Sequence, residues 1–352
     1  MSGLNLRSTG TNLKFFMRPV LFYTDRHVFP LPEGHRFPVR KYRVLREILE
    51  RDGSFDLRPA PLADPATIEL AHDPQYVSEF ISGALAPAAM RRIGFPWSPE
   101  LVQRTLASVG GTVAAAQVAL QHGISGTLAG GTHHAFRAEG SGYCVFNDIA
   151  VAIEWLKRNQ SLKQLESAQG NGPGWSSPLY PKPDNPAALA AGLRFAVIDL
   201  DVHQGDGTAQ IFENDPAVFT FSMHGGRNFP FRKQRSTLDI ELSDGAGDEE
   251  YLAQLQQALP CILDFRPDMV FYQSGVDPLD SDRLGRLRVS MDGLRRRDEI
   301  VFEMARSANL PIVITLGGGY SDPIERTAEA HAQTFRTALH ILAERRPAAS
   351  ST

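Results

Sequence analysis

In the second half of the chain, short unbroken apolar runs alternate with longer stretches in which apolar residues recur every third or fourth position. The runs at 195–200, 217–222, 268–273 and 311–316 lack the apolar–polar alternation of a half-exposed strand, so each is expected to be a strand buried on both faces. The stretches between and after them predict helices at 207–213, 248–264, 293–308 and 323–345. Earlier, Pro19 to Thr24 reads as a first strand and Val39 to Arg51 as a charged amphipathic helix. Another helix opens at Asp73, with Pro74 suited to its first turn, and a long Ala/Val/Leu-rich helix covers 99–122. A short strand ends near Ala129 and a helix follows over 147–158. Strands alternating with helices predict an α/β fold with one parallel sheet covered on both faces.

Residues 159–192 break the pattern, with Ser, Gly, Pro and Asn dominating stretches such as Gly170-Asn-Gly-Pro-Gly-Trp-Ser-Ser-Pro178. The strand after them completes the pattern begun before, so they are expected to be a surface insertion within one domain spanning 18–345. Residues 1–17 and 346–352 are expected to be flexible tails. The acid-free N-terminus, with Arg7, Lys14 and Arg18, is also conceivable as a transit segment.

Composition narrows the partners. Of the 352 residues 42% are hydrophobic, which supports a sizeable core, and 36 bases against 40 acids give a net charge of −4. That balance argues against a nucleic-acid or membrane partner, both of which favour a basic field. The two cysteines, Cys144 and Cys261, are too few for a disulfide framework, so a cytoplasmic location is expected. No apolar run approaches the roughly 18 residues of a membrane span.

The chemistry gathers where the expected strands end. Asp199, Asp201 and His203 follow one run at steps of two, a spacing that sends side chains to one face of an extended chain. A carboxylate and an imidazole side by side suit a divalent metal such as zinc, while Asp206 is alternatively the cap of the next helix. His133 and His134 follow a Gly pair, Ser222-Met-His224 follow Phe219-Thr-Phe221, Asp277 follows Met269 to Tyr272, and Tyr320 follows Gly317-Gly-Gly. Open α/β sheets bind ligands at that edge. Asp201, His203 and Asp277 make a three-ligand set with one open position, the pattern of a catalytic metal that acidifies water to a pKa of about 7. The histidines then serve as general base and acid, with Asp199 and Asp206 the candidates to orient them, and Tyr320 stabilises an oxyanion. That set describes metal-assisted amide hydrolysis.

Gly130-Gly-Thr-His-His134, Gly142-Tyr-Cys-Val-Phe-Asn147, Asp199-Leu-Asp-Val-His-Gln-Gly-Asp-Gly207, Asp277 with Asp282-Arg-Leu-Gly285, and Gly317-Gly-Gly-Tyr320 together resemble the zinc-dependent histone deacetylase family, most closely its class IV branch and bacterial relatives. The resemblance runs from about residue 18 to 345. It implies the arginase/deacetylase three-layer α/β sandwich, with zinc on Asp201, His203 and Asp277 and ferrous iron as an alternative. It further implies His133 paired with Asp199, His134 with Asp206, and Tyr320 on the scissile carbonyl. Gly142, Tyr143 and Phe229 would wall the tunnel for an acyl-lysine chain. A structural potassium would involve Asp199, Asp201, His203, Ser222 and the Met223 carbonyl. The expected substrates are acetyl- or longer acyl-lysines, with acetylpolyamines as the alternative; an acidic rim at Asp25 and Glu33 would suit a basic substrate. The basic run from Arg283 to Arg297 is expected to be a solvated face, and Cys144 a packed residue beside the tunnel. A two-manganese arginase-type site is disfavoured because Gly205 and Leu279 stand where further carboxylates are needed. A non-catalytic acyl-lysine binder is disfavoured because Tyr320 and both histidines are present.

Overall fold

The computed structural model describes residues 18–168 and 192–342. The two tails, residues 343–345 and the 169–191 part of the insertion lie outside the described residues. Eight strands form one sheet: β1 (Val20–Tyr23), β2 (Asp56–Pro59), β3 (Ile124–Thr127), β4 (Phe195–Asp199), β5 (Val218–Gly225), β6 (Leu238–Leu242), β7 (Met269–Gln273) and β8 (Ile312–Thr315). Their order is β2-β1-β3-β8-β7-β4-β5-β6, and every pairing is parallel.

Alternate residues of the central strands feed opposite layers. Ala196, Ile198, Val270, Tyr272, Ile312 and Ile314 join one apolar cluster. It is closed by helices α1 (Lys41–Asp52), α8 (Asp248–Asp264), α9 (Met291–Ser307) and α10 (Ile324–Leu342). Phe195, Val197, Met269, Phe271 and Val313 point the other way. They meet α3 (Pro74–Ser82), α5 (Pro99–His122) and α6 (Asp148–Ala168). The short helices α2 (Pro65–Ile68), α4 (Pro87–Ile93) and α7 (Asp206–Ile211) complete the set. This is the three-layer α/β sandwich, and its two-sided burial is why the central strands read as unbroken apolar runs.

The two outermost strands escape that reading. Asp56-Leu-Arg-Pro59 and Leu238-Asp-Ile-Glu-Leu242 carry polar residues because an edge strand is half solvated, and Pro59 is tolerated where no neighbour needs its missing N–H. Two other expectations change. The helix expected to end at 158 runs on to Ala168, so the insertion begins as helix; residues 159–168 hold no Gly or Pro and include Leu162, Lys163, Gln164, Leu165 and Glu166, all good helix formers. Ser222 to His224 lie within β5 rather than beyond it. No helix among the described residues is long and apolar enough to cross a membrane.

The run expected to be a solvated face also has one end inside. Arg297 on α9 is fully buried: it bonds Asp298 and donates to the Gly275 carbonyl. Asp298 in turn accepts from Tyr272 Oη at 2.6 Å and Thr334 Oγ1 at 2.7 Å. This network ties α9 and α10 to the end of β7. Asp298→Ala should lower the free energy of unfolding by about 3–5 kcal/mol, since it strands a buried guanidinium. Arg295→Ala, which removes an exposed pair, should cost no more than about 0.5 kcal/mol. Urea midpoints at unchanged slope measure both.

Candidate active site

The site lies past the ends of four neighbouring strands, β3, β8, β7 and β4. After β4 the chain turns because each aspartate accepts a backbone N–H two residues on: Asp201 N donates to Asp199 Oδ1 at 3.2 Å and His203 N to Asp201 Oδ1 at 3.0 Å. That turn faces Asp201 and His203 toward Asp277, delivered from the loop after β7. His203 Nδ1 lies 2.9 Å from Asp201 Oδ1 and 3.0 Å from Asp277 Oδ2. The three ligand atoms sit within 4.8 Å of one another, the one such cluster among the described residues. The other carboxylate oxygens are occupied. Asp201 Oδ2 accepts from Gly318 N at 2.6 Å and Gln273 Nε2 at 3.0 Å, and Asp277 Oδ1 from Val202 N at 2.8 Å. One oxygen from each carboxylate and one ring nitrogen therefore converge on a single point. This donor set fits a divalent cation.

Electrostatics agree with that fit. Burial opposes charge on all three groups, and their neighbours decide the outcome. Asp201 is held well below the usual carboxylate range by His133 and His203. Asp277 is pushed up to about 7 by burial and by the charge of Asp201, and His203 is raised to about 10 by the two carboxylates, against burial. A cation between two buried carboxylates removes the repulsion that lifts Asp277.

The paired histidines hang from a loop that turns through two left-handed glycines, Gly130 at φ 75° and Gly131 at φ 69°. Its anchor is Asp148, the fully buried first residue of α6, which accepts from Gly131 N, Thr132 N, Thr132 Oγ1 and Thr112 Oγ1 at 2.5 to 3.1 Å. His133 Nδ1 then meets Asp199 Oδ2 at 2.7 Å, and His134 Nδ1 meets Asp206 Oδ1 at 2.6 Å. Gly205, not Asp206, caps α7, so the Asp206 carboxylate is free for His134. The rings stand 4.1 Å apart, yet their protonation diverges. Burial lowers both; at His133 the charges of Asp199 and Asp201 overcome it and raise the pKa to about 9. At His134 burial and the neighbouring His133 bring it to about 4.

Tyr320 closes the constellation. Asp282 accepts its N–H at 2.6 Å, Arg283 Nε donates to its carbonyl at 3.0 Å, and burial with the nearby carboxylates holds its phenol protonated. Across from it, Gly142 and Tyr143 both adopt positive φ, 52° and 66°. A side chain at Gly142 would come within 2.6 Å of His134 and 3.2 Å of Phe229. Phe229 stands edge-on to His134 at 4.9 Å, and the Tyr143 and Tyr320 rings are 6.4 Å apart. Of the expected wall residues, Gly142 and Phe229 thus lie against His134 and Tyr143 faces Tyr320.

Other expected residues fall differently. His224 is buried against Ser222 Oγ at 3.0 Å, away from the cluster, and burial lowers its pKa to about 4. Ser222 lies opposite Asp199 in the β4–β5 register, with Met223 next along the strand. Asp25 accepts both bonds of Arg46 Nε at 2.9 Å, so it is no free rim acid. The Cys144 thiol is buried and pushed well above its ordinary pKa.

Four contributors carry no sequence signal of their own: Asp148, Gln273, Arg104 and Lys41. Lys41 is buried with Nζ 2.8 Å from the Gly317 carbonyl and 5.5 Å from the Tyr320 ring. Burial lowers its pKa to about 8 against the pull of Asp277 and Asp201. Arg104 lies 4.4 Å over the Tyr42 ring and lines a small pocket with Phe95, Thr132 and Tyr143.

The histone deacetylase domain model matches residues 35–165 and 187–337, which takes in every residue of this cluster. The chain belongs to the histone deacetylase family. That makes it a deacetylase-type hydrolase. This family member is 43% identical over 327 residues to an uncharacterised protein of Picosynechococcus sp., covering 92% of this chain and 99% of that one. It is 29% identical to histone deacetylase 2 of Arabidopsis thaliana, covering 81% and 70%, and 33% identical to human histone deacetylase 1, covering 61% and 40%. Among solved structures it resembles an HDAC homolog complexed with SAHA (TM-score 0.71, 21% identity, 93% and 88% covered). It also resembles acetylpolyamine aminohydrolase from Burkholderia pseudomallei (TM-score 0.70, 19% identity, 92% and 99% covered).

The glycines behind the deacetylase cluster are as specific as its ligands. A Cβ at Gly318 would sit 1.8 Å from Asp277 Oδ2, and one at Gly275 2.2 Å from Asp201 Oδ2. Gly318→Ala should cut deacylation by about 100-fold or more, since displacing a reacting group by about 1 Å is enough for that. Far-ultraviolet circular dichroism should be unchanged. Retained activity would show that the loop yields without moving Asp277.

Proposed function

We propose that this protein hydrolyses the amide of an acylated lysine side chain, with one divalent cation held by Asp201, His203 and Asp277. The observation that carries the reading is convergence: three cation ligands, two carboxylate-held imidazoles and a buried phenol gather past the ends of neighbouring strands, with the Phe229 and Tyr143 rings beside them. Zinc suits a set of one imidazole nitrogen and two carboxylate oxygens, and ferrous iron is the second fit. When bound, the cation supplies a Lewis acid that acidifies water and polarises an amide carbonyl.

The remaining steps belong to side chains. Asp199 and Asp206 fix the tautomer and direction of His133 and His134, which leaves each Nε2 to handle a proton. As the water oxygen bonds to the carbonyl carbon and the C–N bond breaks, both protons of that water end on the departing nitrogen, so a carboxylate and an ammonium result. Tyr320 donates its phenol hydrogen to the carbonyl oxygen as negative charge grows there. Gly142, Tyr143 and Phe229 admit the extended acyl-lysine stem and keep water out. A structural potassium beside Asp199 and Ser222, with the Asp201–His203 segment and the Met223 carbonyl, would fix the strand ends; the parallel register that sets Asp199 against Ser222 supports it.

Purified protein should carry close to one divalent metal per chain by elemental analysis, lost in both Asp201→Ala and Asp277→Ala; full metal content in both variants would sink the ligand assignment. Tyr320→Phe should keep the metal but lower turnover of an acetyl- or longer acyl-lysine peptide by about 10²–10³-fold, the range for removing one oxyanion donor. A mutant as fast as the parent would remove Tyr320 from the chemistry.

A further inference from the structure

Two loops that pack beside Gly142 and Tyr143 carry bases and no acid. Residues 35–41 (His-Arg-Phe-Pro-Val-Arg-Lys) and 226–236 (Gly-Arg-Asn-Phe-Pro-Phe-Arg-Lys-Gln-Arg-Ser) contain no Asp or Glu, in a chain whose acids outnumber its bases by 40 to 36. The first loop is fixed beside the tunnel wall, with the His35 and Phe37 rings 5.8 and 5.2 Å from Tyr143. Arg36, between them, is exposed and close enough for its charge to act on the Tyr143 phenol. The second loop carries Phe229 and, with its ring 6.4 Å farther out, Phe231, which is 89% exposed.

Three neighbouring acids are spent on partners of their own. Asp25 is held by Arg46, and Glu139 by Arg92 at 2.9 Å. Asp244 is shared by Arg286 at 3.2 Å and Arg227 at 3.9 Å, one acid for two guanidiniums. Lys233 Nζ is tucked under the Phe229 turn, on the Asn228 and Pro230 carbonyls at 2.6 and 2.7 Å, and adds positive charge there. Arg36, Arg232 and Arg235 are exposed with no ion-pair partner among the described residues. Glu33, Glu241, Asp322 and Glu325 are the exposed acids left nearby; Glu241 lies beside Gly226 and its charge acts on Lys233, and Asp322 lies 3.9 Å from Arg283.

We propose that this rim selects acyl-lysines flanked by acidic residues, with Arg36, Arg232 and Arg235 facing the substrate's carboxylates and Phe231 packing on the peptide beside the acylated lysine. The proposal rests on the deacylase reading above and narrows its substrate class. A polyamine, or a tail rich in Lys and Arg, would bring its positive charges against the same guanidiniums. A phenylalanine ring this exposed gains by burial against an apolar part of a bound peptide. None of these side chains reaches the reacting atoms, so the preference belongs in KM rather than kcat. Pairs at an open rim are also screened by salt.

The test uses the full-length protein and three peptides with the same central acyl-lysine, flanked by Asp/Glu, by Ala or by Lys/Arg. The acidic peptide should exceed the basic one about tenfold in kcat/KM at low salt, the size expected of two or three exposed charge pairs. The gap should lie in KM and shrink to about twofold at about 0.5 M salt, where the Debye length is only a few ångströms. Arg232→Glu with Arg235→Glu should reverse the order while leaving the Ala-flanked peptide unchanged, and Phe231→Ala should raise KM for all three peptides at constant kcat. Equal turnover of the three, or preference for the basic one, would overturn the rim proposal with the deacylase reading intact. Cleavage of none would overturn both.

Discussion

Three carboxylates, Asp199, Asp201 and Asp277, are buried side by side at the carboxyl edge of a sheet that excludes water on both faces. Isolated, such a group of charges would cost more than the whole net stability of a domain. The surrounding structure makes it bearable. His133 balances Asp199, the backbone N–H groups of Val202, His203 and Gly318 bond the other two, and Gln273 spans from Asp201 to the loop that carries the histidines. Lys41 acts from behind, not by pairing with these carboxylates but by fixing the Gly317 carbonyl, so that the Gly318 N–H of the same peptide turns toward Asp201, and Arg297 holds the Gly275 carbonyl in the loop that leads to Asp277.

This explains how a scaffold of ordinary packing ends in one place of concentrated charge. The apolar runs of β4, β7 and β8 place their last residues in register. The chain leaves each strand through glycine or an aspartate-capped turn, so backbone rather than side chain covers the carboxylates. The cation ligands come from two adjacent strand ends and the proton-handling pair from a third, β3, anchored separately through Asp148. Asp148 anchors the histidine loop from one side, while Gln273 and the His133–Asp199 contact tie it to the ligand-bearing turn on the other.

Much of this was legible in the chain. Central strands announce themselves because burial on both faces demands unbroken apolar runs, and the site residues because His133-His134, Asp201 with His203, and the Gly317-Gly-Gly-Tyr320 stretch sit where those runs stop. Edge strands β2 and β6 were not legible, since half-solvated strands resemble loops. The extension of α6 past residue 158 was hidden because polarity alone does not separate a solvated helix from an insertion. Asp148, Gln273, Arg104 and Lys41 were missed for a different reason. Each works through contacts distant in sequence, Lys41 reaching Gly317 across 276 positions, and no local spacing encodes that. The acidic rim expected at Asp25 failed because Arg46, a full 21 positions on, consumes it.

The glycines packed against Asp201 and Asp277 have an evolutionary corollary. With a hypothetical Cβ at Gly275, Gly317 or Gly318 falling 1.8 to 2.7 Å from a carboxylate oxygen, the floor of the site has no neutral neighbours in sequence space. Adaptation must therefore proceed from the outside. The exposed side chains Arg36, Phe231, Arg232 and Arg235 touch neither carboxylate, so descendants of this chain are free to change what they recognise while inheriting the same chemistry unaltered.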